Sequence, residues 1–221
     1  GLLFIGLNFL QENMPNIHEN PEILNFLHNY TDLGYGSYIL FMLIGTALTI
    51  LIQSSSATMA LTLVMCANGW IGFDIAASMV LGENIGTTIT ANLAAMVANT
   101  TAKRAAFAHF LFNLFGVAWV LAIFPFFLGW VGQLSIYLGI GDPFTNVGSV
   151  PVALSLFHTC FNVANVLILI WFIKVIAKLV THIIKSKESA DDAFTLKHIK
   201  IGLLSTPDAS LFQAKQEISH Y

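Results

Sequence analysis

Gln53, Ser54, Ser55 and Ser56 stand consecutively in an apolar run, Leu33 to Phe73, that contains no Asp, Glu, Lys or Arg. Four hydrogen-bonding side chains in such surroundings are costly against lipid and useful against a ligand or a water-filled cavity. Serine also competes for backbone hydrogen bonds, so the tetrad is a natural place for a helix to break. Close contact between two membrane helices is the alternative use of small polar residues. A second polar stretch, Gly82-Glu83-Asn84-Ile85-Gly86-Thr87-Thr88, lies in the next hydrophobic segment. Glycines bracketing Glu83-Asn84 predict a broken helix, whose freed backbone groups, with Asn and Thr oxygens, make ion or anion sites. The alternative is a kinked helix with threonines bonded back to its own carbonyls. Glu83 reads three ways: ion ligand, proton-linked group, or solvated residue in a cavity mouth. A third pattern occurs twice, H-x-x-F-N at His109 to Asn113 and at His158 to Asn162. His and Asn four residues apart share a helical face, either lining a pathway or bracing the structure.

The elements that must carry these residues follow from composition. The 221 residues are 56% hydrophobic and 10% charged, with mean hydropathy +0.75. Soluble domains carry about 25% charged residues, so the chain is expected to be an all-α, polytopic membrane protein. A net charge of −3 gives no sign of a nucleic-acid partner, and none is expected. Cys66 and Cys160 are spaced for neither a metal site nor a deducible disulfide. Gly1 to Leu10 reads as the tail of a span, and the chain as a piece of a longer one. Gln11 to Gly36 reads as a loop with Pro15, Pro21 and four acids (Glu12, Glu19, Glu22, Asp32) but no Lys or Arg. Hydrophobic segments follow at Ser37 to Ala67, Ile75 to Asn99, Ala105 to Leu128 and Val150 to Ile173. Gly129 to Ser149 reads as a Gly-rich connection. Residues 1–180 form a membrane domain, and 181–221 a polar tail.

Orientation follows from charge. Lys103-Arg104 and the flank Lys174, Lys178, Lys185 and Lys187 belong in the cytoplasm by the positive-inside rule, with two spans between them. The acidic loop Gln11 to Gly36 belongs outside. Parity then requires Ser37 to Ala67 to enter and return on one side. At about 1.5 Å per residue, each half is expected to be too short to cross a core of roughly 30 Å. A re-entrant hairpin is therefore expected, with the tetrad at its tip, buried in mid-membrane. Irregular backbone at that depth must be wrapped by protein or line a cavity.

Taken in order, Gln53-Ser54-Ser55-Ser56-Ala57-Thr58, Gly82-Glu83-Asn84-Ile85-Gly86-Thr87-Thr88, Lys103-Arg104-Ala105-Ala106 and the H-x-x-F-N pair resemble the sodium/phosphate cotransporter (type II-related) family. The resemblance covers about Gly45 to Ile173. The tail, from Thr195-Leu196 through Thr206-Pro207 to Glu217, more weakly resembles the start of the PhoU-like helical domain of bacterial members. The resemblance implies a two-repeat fold in which each repeat supplies one QSSS tip, with phosphate and sodium bound between the tips. One QSSS is present here, so the chain resembles the second repeat. The missing first repeat, or a second copy of this chain, would supply the other tip. The implied activity is sodium-coupled symport of inorganic phosphate in the inner (cytoplasmic) membrane. No enzymatic activity and no cofactor are implied beyond the transported Na⁺.

The chemistry agrees with this independently. No Lys or Arg lies near the tetrad, so phosphate would be held by hydroxyls, backbone N–H groups and positive helix N-termini. The phosphate-binding candidates are Gln53, Ser54, Ser55 and Ser56. The sodium candidates are Gln53, Ser55, Asn84, Thr87 and Thr88, all with hard oxygen donors. A phosphate-sensing protein without transport is one alternative. An intramembrane serine hydrolase using His109 or His158 is another, but no G-x-S-x-G elbow is present.

Overall fold

In the computed structural model the described residues are 33–185 and 207–219, with short pieces at 5–6, 9 and 29–31. Most of the predicted acidic loop, the first predicted span tail and residues 186–206 lie outside them. The chain falls into two units, 1–184 and 185–221. From residue 33 on, the described residues of the first unit form α1 (Tyr35–Ile52), α2 (Ser55–Ala67), α3 (Phe73–Ala95), α4 (Thr100–Ala122), α5 (Phe124–Tyr137), α6 (Val150–Leu169) and α7 (Ile173–Ile183) in order. Short 3₁₀ turns at Val147–Ser149 and Ile170–Phe172 flank α6. In the second unit, α8 (Pro207–Ile218) opens on a proline, which suits a helix's first turn. There is no strand among the described residues.

Among the described residues, three stretches are long and apolar enough to cross a membrane: Tyr35–Ile52, Thr100–Ala122 and Val147–Ile183. Only 22%, 28% and 17% of their apolar windows are buried by the chain itself. The remainder needs lipid or further protein to cover it.

Helix α1 rises to Ile52, the chain reverses at Gln53-Ser54, and α2 returns beside it. A turn at Asn68–Gly72 then leads into α3, which runs parallel to α1. Their relation is fixed by glycines. Gly45 lies against the Met79 backbone, Gly82 against the Met42 carbonyl and the Thr46 N, and Gly86 against Thr49. A Cβ on Gly82 would come within 2.8 Å of the Thr46 N, and one on Gly86 within 2.7 Å of the Thr49 Cβ. The two backbones therefore meet directly, as small residues permit in membrane helix pairs.

Helices α4 and α6 are joined by a polar clasp. The Asn165 side chain on α6 donates to the Phe112 carbonyl on α4 (3.3 Å) and accepts from Trp119 Nε1 (3.3 Å). The core between α3, α5 and α6 is aromatic, with Phe73, Phe124 and Phe127 each set edge-on to Phe157 at 5.5–6.5 Å between centroids.

Three expectations are corrected. The predicted broken helix at Gly82 to Thr88 is not broken: α3 is continuous over 23 residues. Its threonines donate back to their own helix, Thr87 to Glu83 O (2.8 Å), Thr88 to Ile85 O (2.7 Å) and Thr90 to Thr87 O (2.8 Å). The two halves of Ser37 to Ala67 are not both short. Helix α1 has 18 residues, enough to cross, while α2 has 13. The predicted span through Leu128 ends at Ala122, and the predicted connection from Gly129 is helical to Tyr137. Pro125 is the reason. It lacks an N–H to continue α4 but suits the first turn of α5.

Candidate functional site

The break between α1 and α2 is built by two residues. Gln53 takes φ 57°, ψ 25° in the left-handed region, and its N–H closes α1 on Thr49 O at 2.8 Å. It has the only positive φ among described non-glycine residues. Ser54 is extended, at φ −150°, and caps α2 by accepting from the Ala57 N–H at 3.3 Å. Its own carbonyl accepts from the Thr58 N–H (3.1 Å) and the Thr58 hydroxyl (3.0 Å). Ser55 and Ser56 occupy the first turn of α2, where backbone N–H groups have no intrahelical partner and the helix dipole is positive.

Ser55 and Ser56 open onto a cavity of about 300 Å³, lined also by Met59 on α2, Glu83 and Asn84 on α3, and His158 on α6. No Lys or Arg lines it. Glu83 is 2% exposed, and its Oε1 accepts from the Thr62 hydroxyl of α2 at 2.9 Å. Asn84 Nδ2 donates to Val80 O at 2.9 Å, which leaves its Oδ1 as an acceptor.

The cavity thus joins Ser55, Ser56 and Asn84 among the residues singled out from sequence. Gln53 is exposed beside it, and Ser54 is committed to the cap. Thr87 and Thr88 lie farther along α3, outside the lining, with hydroxyls turned to their own helix. The H-x-x-F-N pair separates. His158 lines the cavity, while His109 is exposed. Both asparagines do the same local work, bonding back to the histidine carbonyl, Asn113 at 3.1 Å and Asn162 at 2.8 Å. Sequence reasoning missed Thr62. Thr58, Thr62 and Glu83 are all buried, and a hydroxyl seven residues beyond Ser55, two turns along the same helical face, was the available signal.

Chemically, the arrangement offers hydroxyl and N–H donors to an anion and several uncharged oxygens, with one carboxylate, to a cation. It does not make a hydrolytic triad, although Ser55, His158 and Glu83 share the cavity. A triad needs the histidine bonded between serine and acid, whereas Glu83 is bonded by Thr62.

These features define a class, a helical membrane protein with a polar, cation-poor cavity at a helix break. The chain belongs to the Na⁺/Pi-cotransporter family, whose profile matches residues 2–159. It is 29% identical over 98% of its length to YjbB of Escherichia coli (strain K12), provisionally named an inorganic phosphate export protein, and covers 37% of that relative. It is 36% identical over 66% of its length to the uncharacterized YqeW of Bacillus subtilis (strain 168), covering 44% of it. Over 38% of its length it is 40% identical to human sodium-dependent phosphate transport protein 2C, of which it covers 15%. The chain therefore spans less than half the length of these relatives. No solved structure matches it.

Proposed function

We propose that this chain forms part of a secondary transporter that moves inorganic phosphate together with sodium across the cytoplasmic membrane. One observation carries the reading: the Ser54-capped start of α2 presents Ser55 and Ser56 to a polar cavity that no Lys or Arg lines. Phosphate there is held by the serine hydroxyls and the N–H groups of the first turn, with the helix dipole behind them. Gln53 and Ser54 hold the break open. Sodium is taken by oxygens of Ser55 and Asn84, with Gln53, Thr87 and Thr88 as the outer donors of the same region. The name of human protein 2C supports sodium coupling, and that of YjbB concerns export. Either direction of flux uses the same site.

In this reading α1 and α2 form a re-entrant hairpin, and a second QSSS tip, from another repeat or another copy, completes the site. The tail beyond residue 181 is cytoplasmic and begins a PhoU-like helical domain. Full-length protein in vesicles tests the function. Radiolabelled phosphate should move with an imposed sodium gradient and not in choline; equal flux in both would end the sodium coupling. Cysteines placed at Asn20 and Ser186 test the orientation: an impermeant external reagent should label the first and not the second. Saturable, sodium-dependent phosphate binding by residues 1–221 as a demonstrated monomer would end the two-tip arrangement.

A further inference from the structure

From Asn84 to Gly141 the sequence has no acid, and its two cations, Lys103 and Arg104, stand together near the start of α4. That helix is apolar and long enough to span, so cations at its end sit at the level of lipid headgroups. The end of α3 lies beside them. Asn92 Nδ2 on α3 donates to Ala106 O on α4 at 2.9 Å, and the two helices run antiparallel across the short turn between them.

Where these helices meet the residue after α7, they leave a cavity of about 540 Å³ that shares no lining residue with the one at Ser55 and Ser56. Its walls are apolar: Ile89, Leu93 and Met96 from the α3 side, Phe107 and Phe110 from α4, and Ile184. The two phenylalanine rings stack with centroids 6.1 Å apart and form one flat side. Leu93 and Met96 remain 55% and 67% exposed, so something apolar must cover them. Lys103 is the single charged residue of the lining, and it stands at one end. Phe110 on α4 and Ile89 on α3 lie about 10 Å deeper than Lys103 and Met96, at acyl-chain level. Arg104 Nε donates to Ile184 O at 3.0 Å, which ties the end of α7 to α4 and leaves the terminal amino groups of Arg104 as donors. Helix α7 adds Lys174 and Lys178 and no acid.

We propose that this groove is a binding site for one anionic phospholipid, its phosphate on Lys103 and Arg104 and an acyl chain between α3 and α4 against Phe107 and Phe110. An apolar slot with positive charge at its headgroup end alone matches an amphiphile of that charge. Basic pockets between membrane helices hold anionic headgroups in this way. A bound lipid would touch α3, α4 and Ile184 together, and so would hold the end of α7 in place. The site depends on the membrane placement of the chain and not on the phosphate cavity.

The test uses purified full-length protein in a neutral detergent, titrated with dioleoyl phosphatidylglycerol or dioleoyl phosphatidylcholine. Retained lipid is counted by native mass spectrometry, and unfolding temperature is read in parallel. The first phosphatidylglycerol should bind about tenfold or more tightly than phosphatidylcholine and should raise the unfolding temperature further. Lys103→Gln should bring the two lipids within about twofold of each other, while Lys103→Arg keeps the preference. Ala95→Trp, which fills the groove, should remove the tight first lipid with Lys103 still in place. This variant decides if Lys103→Gln does not fold. Glycerol phosphate, a headgroup without chains, should not compete. An undiminished preference in Lys103→Gln, or tight binding in Ala95→Trp, would overturn the site. Competition by glycerol phosphate would make it a site for free anions and overturn the lipid assignment. No saturable lipid binding by the wild type would mean that other protein covers the groove, and would overturn it also.

Discussion

Two polar interruptions of apolar segments meet opposite fates in this chain. At Gln53-Ser54 the helix ends and reverses, while at Gly82 to Thr88 it runs on unbroken. The difference lies in what happens to the backbone groups that a break would free. Ser54 supplies an oxygen to the Ala57 N–H, and Gln53 absorbs the left-handed turn. Glycine supplies nothing. Gly82 and Gly86 instead remove side chains from a face that α1 then occupies, and the contact holds α3 straight. Glycine in a membrane segment therefore marks a close approach unless a capping side chain stands beside it.

The comparison can be broken at four places. The largest effect belongs to Gly82→Val, whose side chain would meet the Met42 carbonyl and the Thr46 N. Backbone cannot step aside as a side chain does, so the loss should reach about 3 kcal/mol or more. It should appear as loss of monodisperse protein on size exclusion. Replacing Ser55 and Ser56 together by Ala removes hydroxyl donors at about 1–1.5 kcal/mol each. Phosphate affinity should fall roughly thirtyfold to a hundred-and-fiftyfold in equilibrium binding, with little change in unfolding temperature. Ser54→Ala removes the α2 cap, at about 1 kcal/mol, and should lower the unfolding temperature while leaving Ser55 and Ser56 in place. The smallest effect has the opposite sign. Gln53→Gly relieves the left-handed backbone and should stabilise the protein by about 0.5–1 kcal/mol in the same unfolding assay. A loss of stability there would mean that the Gln53 side chain braces the break.

The sequence made the helical membrane class plain, because 56% hydrophobic residues with few charges admit little else. The break at the tetrad was legible for the same reason that it exists: Ser54 carries its own cap. Ser55, Ser56 and Asn84 were legible as cavity residues because polar groups in an apolar run must face something polar. The continuity of α3 was not legible, since nothing in Gly82-Glu83-Asn84 tells that α1 will cover its glycines. Thr62 was hidden likewise, as one threonine among several until α2 turns back and sets it 2.9 Å from Glu83. The separate helix α5 has a local signal, Pro125, which ends the preceding helix and opens the next.

The glycine seam also sets what can move. Packed helices shear past each other when side chains across the contact change rotamer. Where α1 and α3 touch, Gly45 and Gly82 meet backbone atoms, Gly86 meets the β-branched Thr49, and the Thr46 hydroxyl donates to Gly82 O across the seam at 3.0 Å, so few rotamers can change. The pair is a single lever. The contact able to slip is between α2 and α3, where side chains meet, the Thr62–Glu83 hydrogen bond among them. A small shift there, within the reach of the Gln53-Ser54 link, would move Ser55 and Ser56 along Glu83 and remake the cavity while the lever stays rigid.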